Sequence, residues 1–259
     1  MSSNKNRKKS KKNNSPVVSP KILLSIAGVA AAVCIVGIII SAVGSKNASA
    51  GSNNRNTQTE ASAENADAIT SADDINITHY AAIDIKDYGT ITVALDETAA
   101  PETVKNFVSL AESGFYDGLT FHRIIDGFMM QGGDPDGNGT GGSDKTIKGE
   151  FAENGFENNL SHTKGAISMA RSADFNSASS QFFIVDEDST FLDGSYAAFG
   201  YVTEGQEIVD KICKDAKPSD DNGTIKAEDQ PVINSIKILT PDAVSAAESA
   251  SESAETAEN

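Results

Sequence analysis

The sequence is poor in the residues that most reactive chemistry needs. Cysteine occurs twice, at Cys34 and Cys213, and Cys34 lies inside a long apolar run, so neither a disulfide framework nor a cysteine-based metal cluster can be assembled. The three histidines, His79, His122 and His162, form no zinc-spacing pair. A G-x-S-x-G elbow is missing, which removes the usual seat of a hydrolase serine. The glycine-rich stretch 132–142 lacks the Lys-Ser/Thr of a P-loop. It begins like a calcium loop, with Asp134, Asp136, Asn138 and Gly139 at positions 1, 3, 5 and 6, but position 12 is Lys145 where a bidentate Glu is needed. No metal or cofactor is expected. Basic charge is scarce after residue 21: the first 21 residues hold seven Lys/Arg and no acid, leaving 14 basic against 37 acidic residues in the remainder. Such a balance argues against nucleic acid as a partner.

What is present divides the chain into five parts. Residues 1–21 form a basic segment, and residues 22–44 run for 23 residues without a charge, enough at ~1.5 Å per residue to cross a ~30 Å hydrocarbon core. The positive-inside bias puts the N-terminus in the cytoplasm and the rest outside, as a single-pass membrane protein. The apolar run exceeds the ~7–15 residues of a signal-peptide core, which favours an uncleaved anchor; Ala48-Ser49-Ala50 offers the competing cleavage site, and cleavage after Ala50 would yield a secreted form. Residues 45–75, rich in Ser, Asn, Ala, Thr and Glu, read as a flexible linker, and 241–259 as an acidic disordered tail.

The folded part is expected at 76–240. Residues 80–87 and 90–95 alternate apolar and polar around Tyr88-Gly89, a hairpin signal. Pro101 followed by Val104, Phe107, Val108 and Ala111 predicts an amphipathic helix stopped near Gly114. Ile208, Val209, Ile212 and Cys213 predict a second over 204–214, with Cys213 a small core residue. Short strand-like runs at 166–170, 181–185, 197–202 and 232–239 point to an all-β-dominated, closed or nearly closed antiparallel barrel capped by helices. One oddity remains in residues 121–134, FHRIIDGFMMQGGD. Arg123 stands in apolar surroundings with Phe121, Phe128, Met129, Met130 and Gln131 nearby, either snorkelling from a strand or supplying one fixed cation to an apolar pocket.

These blocks, with Asn138-Gly-Thr-Gly-Gly142, Ser168-Met-Ala170, Ser180-Gln-Phe-Phe-Ile184, Leu192-Asp-Gly194 and Phe199-Gly200, resemble the cyclophilin-type peptidyl-prolyl isomerases over about 78–240. The resemblance implies an eight-stranded antiparallel closed β-barrel capped by two α-helices, a groove on its outer face, no cofactor, and proline-containing polypeptides as substrates of a monomeric enzyme. It makes Arg123 the catalytic Arg, with Phe128 and Gln131 beside it; Phe128, Met129, Phe183 and Leu192 form the proline pocket, and the backbone of Ala170 and Arg171 pairs with the peptide. His122, Gly139, Gln181, Phe191 and Tyr196 fall at further groove positions. The sequence departs from the common family pattern at Asp126 (Pro), Arg171 (Asn), Phe191 (Trp) and Tyr196 (His). The expected activity is X-Pro bond isomerisation during extracytoplasmic protein folding; the alternatives are a non-catalytic proline-peptide scaffold at the cell surface and a calcium-dependent adhesin using the Asp134 loop.

Overall fold

The computed structural model describes residues 68–245. The expected anchor at 22–44, the basic segment before it, and the cleavage site lie outside the described residues, as do most of the linker and of the acidic tail. No helix among the described residues is long and apolar enough to cross a membrane.

Eight strands alternate with two α-helices: β1 (His79–Ile85), β2 (Gly89–Leu95), α1 (Pro101–Glu112), β3 (Thr120–Ile125), β4 (Met129–Asp134), β5 (Ala166–Met169), β6 (Phe182–Val185), β7 (Ala198–Glu204), α2 (Gln206–Asp215) and β8 (Ile233–Leu239). Residues 241–245 are also helical. All strand pairs are antiparallel, in the order β3-β4-β6-β5-β7-β2-β1-β8. The β1–β2 hairpin turns through Asp87 at φ 66 and Gly89 at φ 121, where a left-handed backbone suits a tight reversal. Pro101 opens α1 with φ already fixed for a helix, and Val104, Phe107 and Ala111 are buried along one face. Burial likewise claims Val209, Ile212 and Cys213 of α2, and desolvation pushes the Cys213 thiol pKa up, as befits an inert core residue.

The expectation of a closed barrel needs correction. The sheet curves into a half-barrel whose end strands are β3 and β8, and these ends meet only through the isolated bridge Thr120–Val232 and hydrogen bonds between 118–121 and 231–233. Pro231 contributes only its carbonyl there, and beyond it residues 223–225 pair with His122–Ile124 in place of β8. The folded unit also begins before residue 76. Ile69 bridges Leu160, and its carbonyl accepts from Ser161 N–H and from the Tyr201 hydroxyl.

Alternation along the strands sorts side chains to two faces. Ile124, Met130, Ile167, Phe182 and Ile184 face an interior core with Phe107, Tyr116, Phe121 and Phe199, whose rings meet at 5.3–5.9 Å. Met129, Phe183, Val185 and Ala198 face outward onto a second apolar cluster with Leu160, Leu192 and Tyr201. The candidate site lies on this outer side.

Candidate active site

Residues 121–134 form a hairpin and not one strand. The turn runs through Asp126–Phe128, with Gly127 at φ 74, and sets β3 against β4. The ladder pairs Phe121 with Gly132 and then Arg123 with Gln131, so His122 is an extra residue in β3, a β-bulge. Bulges re-aim the side chains that follow them. Were His122 paired in a regular register, Arg123 would lie opposite Met130 on the interior face; because His122 is bulged out of the ladder, Arg123 stands opposite Gln131 on the outer face.

The Arg123 guanidinium is held from three sides. Its Nε donates to the Asn222 carbonyl at 2.7 Å, and Nη1 donates to Gln131 Oε1 at 3.4 Å and approaches Met129 Sδ at 3.8 Å. The Phe128 ring lies 5.9 Å away. Burial lowers the Arg123 pKa, while Tyr196 and Asp220 push it up; a guanidinium in this balance stays charged. Gln131 in turn donates through Nε2 to Gln181 Oε1 at 2.9 Å, and Gln181 Nε2 donates to the Gly141 carbonyl at 2.7 Å. This relay fixes which end of each amide faces which neighbour, so Gln131 presents its oxygen to the arginine.

Beside the guanidinium, Phe128, Met129, Gln131, Ala170, Arg171, Phe183 and Tyr196 line a shallow depression. Six residues read from the sequence as groove positions beside Arg123 therefore meet Gln131 in one place. Leu192 is buried behind the wall in the same apolar cluster. Phe191 is 67% exposed and packs on Phe128 at 5.7 Å, extending the apolar rim. His122 and Gly139 do not line the depression. They back onto one another, since a Cβ at Gly139 would sit 3.5 Å from His122 Nε2.

The Asp134 loop is satisfied internally. Amide N–H groups of Asp136, Asn138 and Gly139 donate to its carboxylate at 2.9, 3.0 and 2.6 Å. Burial would raise the Asp134 pKa, but these bonds and one from Gly141 hold it below the usual range. A carboxylate so occupied is a loop organiser, and no group of three metal-ligating side chains exists among the described residues.

Two features escape sequence reasoning. One is the seat of Arg123 on Asn222, 99 residues away, which depends on a loop of ordinary Asp, Asn and Gly composition. The other lies beneath Phe183. His162 stacks on that ring at 6.0 Å, its Nδ1 meets Asp193 Oδ1 at 2.7 Å, and its Nε2 meets Ser168 Oγ at 2.9 Å. Ser, His and Asp thus stand in the order of a hydrolytic triad. Ser168 is wholly buried, however, so the chain of bonds supports the pocket floor and reaches no substrate. Its only signal in the sequence is that Ser168 and Asp193 lie inside motif blocks.

An apolar depression with fixed guanidiniums and, among the described residues, no metal-ligating cluster suits a reaction that makes and breaks no covalent bond. The family model for the cyclophilin type peptidyl-prolyl cis-trans isomerase/CLD matches residues 80–240. The chain is 49% identical over 124 residues to peptidyl-prolyl cis-trans isomerase B of Bacillus subtilis, spanning 48% of this chain and 83% of that one. It is 42% identical over 154 residues to peptidyl-prolyl cis-trans isomerase-like 1 of Aspergillus niger, spanning 58% and 86%. Among solved structures, a Cryptosporidium parvum cyclophilin type peptidyl-prolyl cis-trans isomerase crystallised in the presence of the dipeptide Ala-Pro superimposes with a TM-score of 0.55 at 31% identity, covering 62% of this chain and 99% of that one. The chain belongs to the cyclophilin-type peptidyl-prolyl cis-trans isomerases, and it is a peptidyl-prolyl isomerase.

Proposed function

We propose that Arg123 is the catalytic group of this isomerase, that Phe128, Met129 and Phe183 seat the proline ring, and that Gln131 positions the peptide. The observation that carries this reading is a charged guanidinium held at the edge of an apolar depression with no ion pair among the described residues. Rotation about a peptide bond meets a barrier of ~18–20 kcal/mol because resonance gives the C–N bond double-bond character. A hydrogen bond from Arg123 to the prolyl nitrogen favours the twisted form, in which the nitrogen lone pair is released, over the planar ground state. Apolar walls strengthen that bond by excluding water and hold the ring while the preceding carbonyl turns. A thousandfold acceleration corresponds to about 4 kcal/mol, within reach of one charge-assisted bond plus positioning.

We infer further that residues 22–44 anchor the enzyme in the cell membrane, with the isomerase domain outside the cytoplasm as a monomer acting on exported polypeptides. There the slow isomerisation of X-Pro bonds, tens of seconds or more uncatalysed, limits folding. The test of the site is a cis-to-trans exchange measurement on an X-Pro peptide with the full chain. Arg123→Ala is expected to lower kcat/KM by about a hundredfold or more with the fold retained, a loss of about 3 kcal/mol. Equal rates in the two proteins would remove Arg123 from the mechanism.

A further inference from the structure

Residues 68–245 contain only two arginines, Arg123 and Arg171, in a stretch with 30 Asp/Glu and 12 Lys/Arg. Arg171 lines the depression and Arg123 stands beside it, and neither forms an ion pair among the described residues. Arg123 is accounted for by the proposed mechanism. Arg171 is not.

The side chain of Arg171 is built into place. Its guanidinium carbon sits 4.6 Å from the Tyr196 ring centre, 4.9 Å from Phe175 and 5.0 Å from Phe151. Nε and Nη2 both donate to the Ser195 carbonyl, at 3.1 and 2.8 Å, and Nη1 donates to the Ser172 carbonyl at 2.9 Å. These bonds use three of the five guanidinium N–H groups, leaving one on each terminal nitrogen. The group is half-buried and locked, so it can bind an anion without the entropy cost that weakens flexible surface pairs. The backbone N–H of Arg171, two residues beyond the end of β5, also donates to no group among the described residues, which leaves that one donor free for a peptide backbone beside the depression.

We propose that Arg171 gives this isomerase a preference for substrates with a carboxylate on the residue immediately before the proline. The inference rests on the reading of the depression as the proline pocket. With the ring seated between Phe128 and Phe183, the preceding residue crosses Ala170 and Arg171, and an acidic side chain there meets two cations, one fixed by aromatic stacking and one at the bond itself. A basic side chain meets the same two as repulsion.

Neutral capped peptides Ala-X-Pro-Phe with X as Glu, Gln or Lys, followed by exchange NMR with the full chain, test this directly. Wild type is expected to favour Glu over Gln by about threefold at low salt, with Lys below Gln, and the three to converge near ~1 M NaCl. In Arg171→Gln the Glu-to-Gln ratio falls to about one, whatever the absolute rates, while Arg171→Lys keeps the order Glu, Gln, Lys because charge is retained. Equal catalysis of the three peptides by wild type overturns the preference and leaves the isomerase reading standing. A Glu preference that survives in Arg171→Gln overturns the assignment to Arg171. No catalysis of any peptide removes the pocket reading, and this inference with it.

Discussion

The single residue inserted into β3 decides where the charge of the site points, and it leaves a cost behind. His122 is 4% exposed, and neither ring nitrogen has a hydrogen-bond partner among the described residues. Burial lowers its pKa from the usual value, with Asp134 opposing and Arg123 adding to the fall. The ring is therefore neutral in the folded state, while in the unfolded chain it titrates near ~6.5. Below that pH the unfolded state binds more protons, so stability is full above ~6.5 and is lost as pH falls. Urea unfolding of wild type and His122→Gln between pH 7.5 and 5.5 is expected to show wild type losing ground as the pH drops, by at most about 1.4 kcal/mol per pH unit. Parallel curves for the two proteins would mean that His122 takes up its proton in the folded state as readily as outside it.

At the scale of elements, α1 is capped by a residue that its own sequence does not supply. Ala100 stands at the N-cap and offers no side-chain acceptor. Glu150, from the segment between β4 and β5, instead accepts the N–H groups of Glu102 and Thr103, both at 2.9 Å, and is 1% exposed. Its negative charge also lies at the positive end of the helix dipole. Glu150→Ala is expected to destabilise the protein by about 2 kcal/mol, and Glu150→Gln by less because one acceptor remains. A thermal melt of the two variants checks the ranking; an unchanged Glu150→Ala would show water or another group replacing the cap. This contact illustrates what a sequence hides. Periodicities placed α1, α2 and the strands other than β3 and β4 within about two residues, because each pattern is local. The hairpin inside 121–134 was not separable as two strands, because Asp126-Gly127 interrupts an apolar run that does not alternate. Motif blocks located the pocket walls, since Gln131, Ala170 and Phe183 sit inside them. Asn222 beneath Arg123, Glu150 beneath α1 and the aromatic packing of Arg171 depend on loops brought together by the sheet, and no local pattern announces them.

For the whole molecule, the question is how far the site can range from a membrane. Ile69 is pinned by Asn159, Ser161 and Tyr201, and Ile69, Ala72 and Ile75 pack on the same outer cluster that holds Met129 and Phe183. The chain thus enters the folded unit on the side that carries the pocket. Between the proposed anchor and the first described residue lie residues 45–67, whose 23 residues can span at most ~80 Å fully extended. An anchored enzyme would therefore work within that distance of the bilayer, on chains as they emerge. The acidic domain, with 30 acids against 12 bases in residues 68–245, would as a whole be repelled by an anionic surface. Three measurements examine this picture together. The full chain is expected to stay with membranes after an alkaline carbonate wash, its isomerase domain to be digested by protease added to intact cells, and a variant lacking residues 1–44 to catalyse the Ala-Pro test peptide with kcat/KM within about twofold of the full chain, since every residue lining the pocket lies between 128 and 196. Isolation of a mature chain beginning at Gly51 would replace the anchor with a cleaved signal, and protection of the domain in intact cells would reverse the orientation.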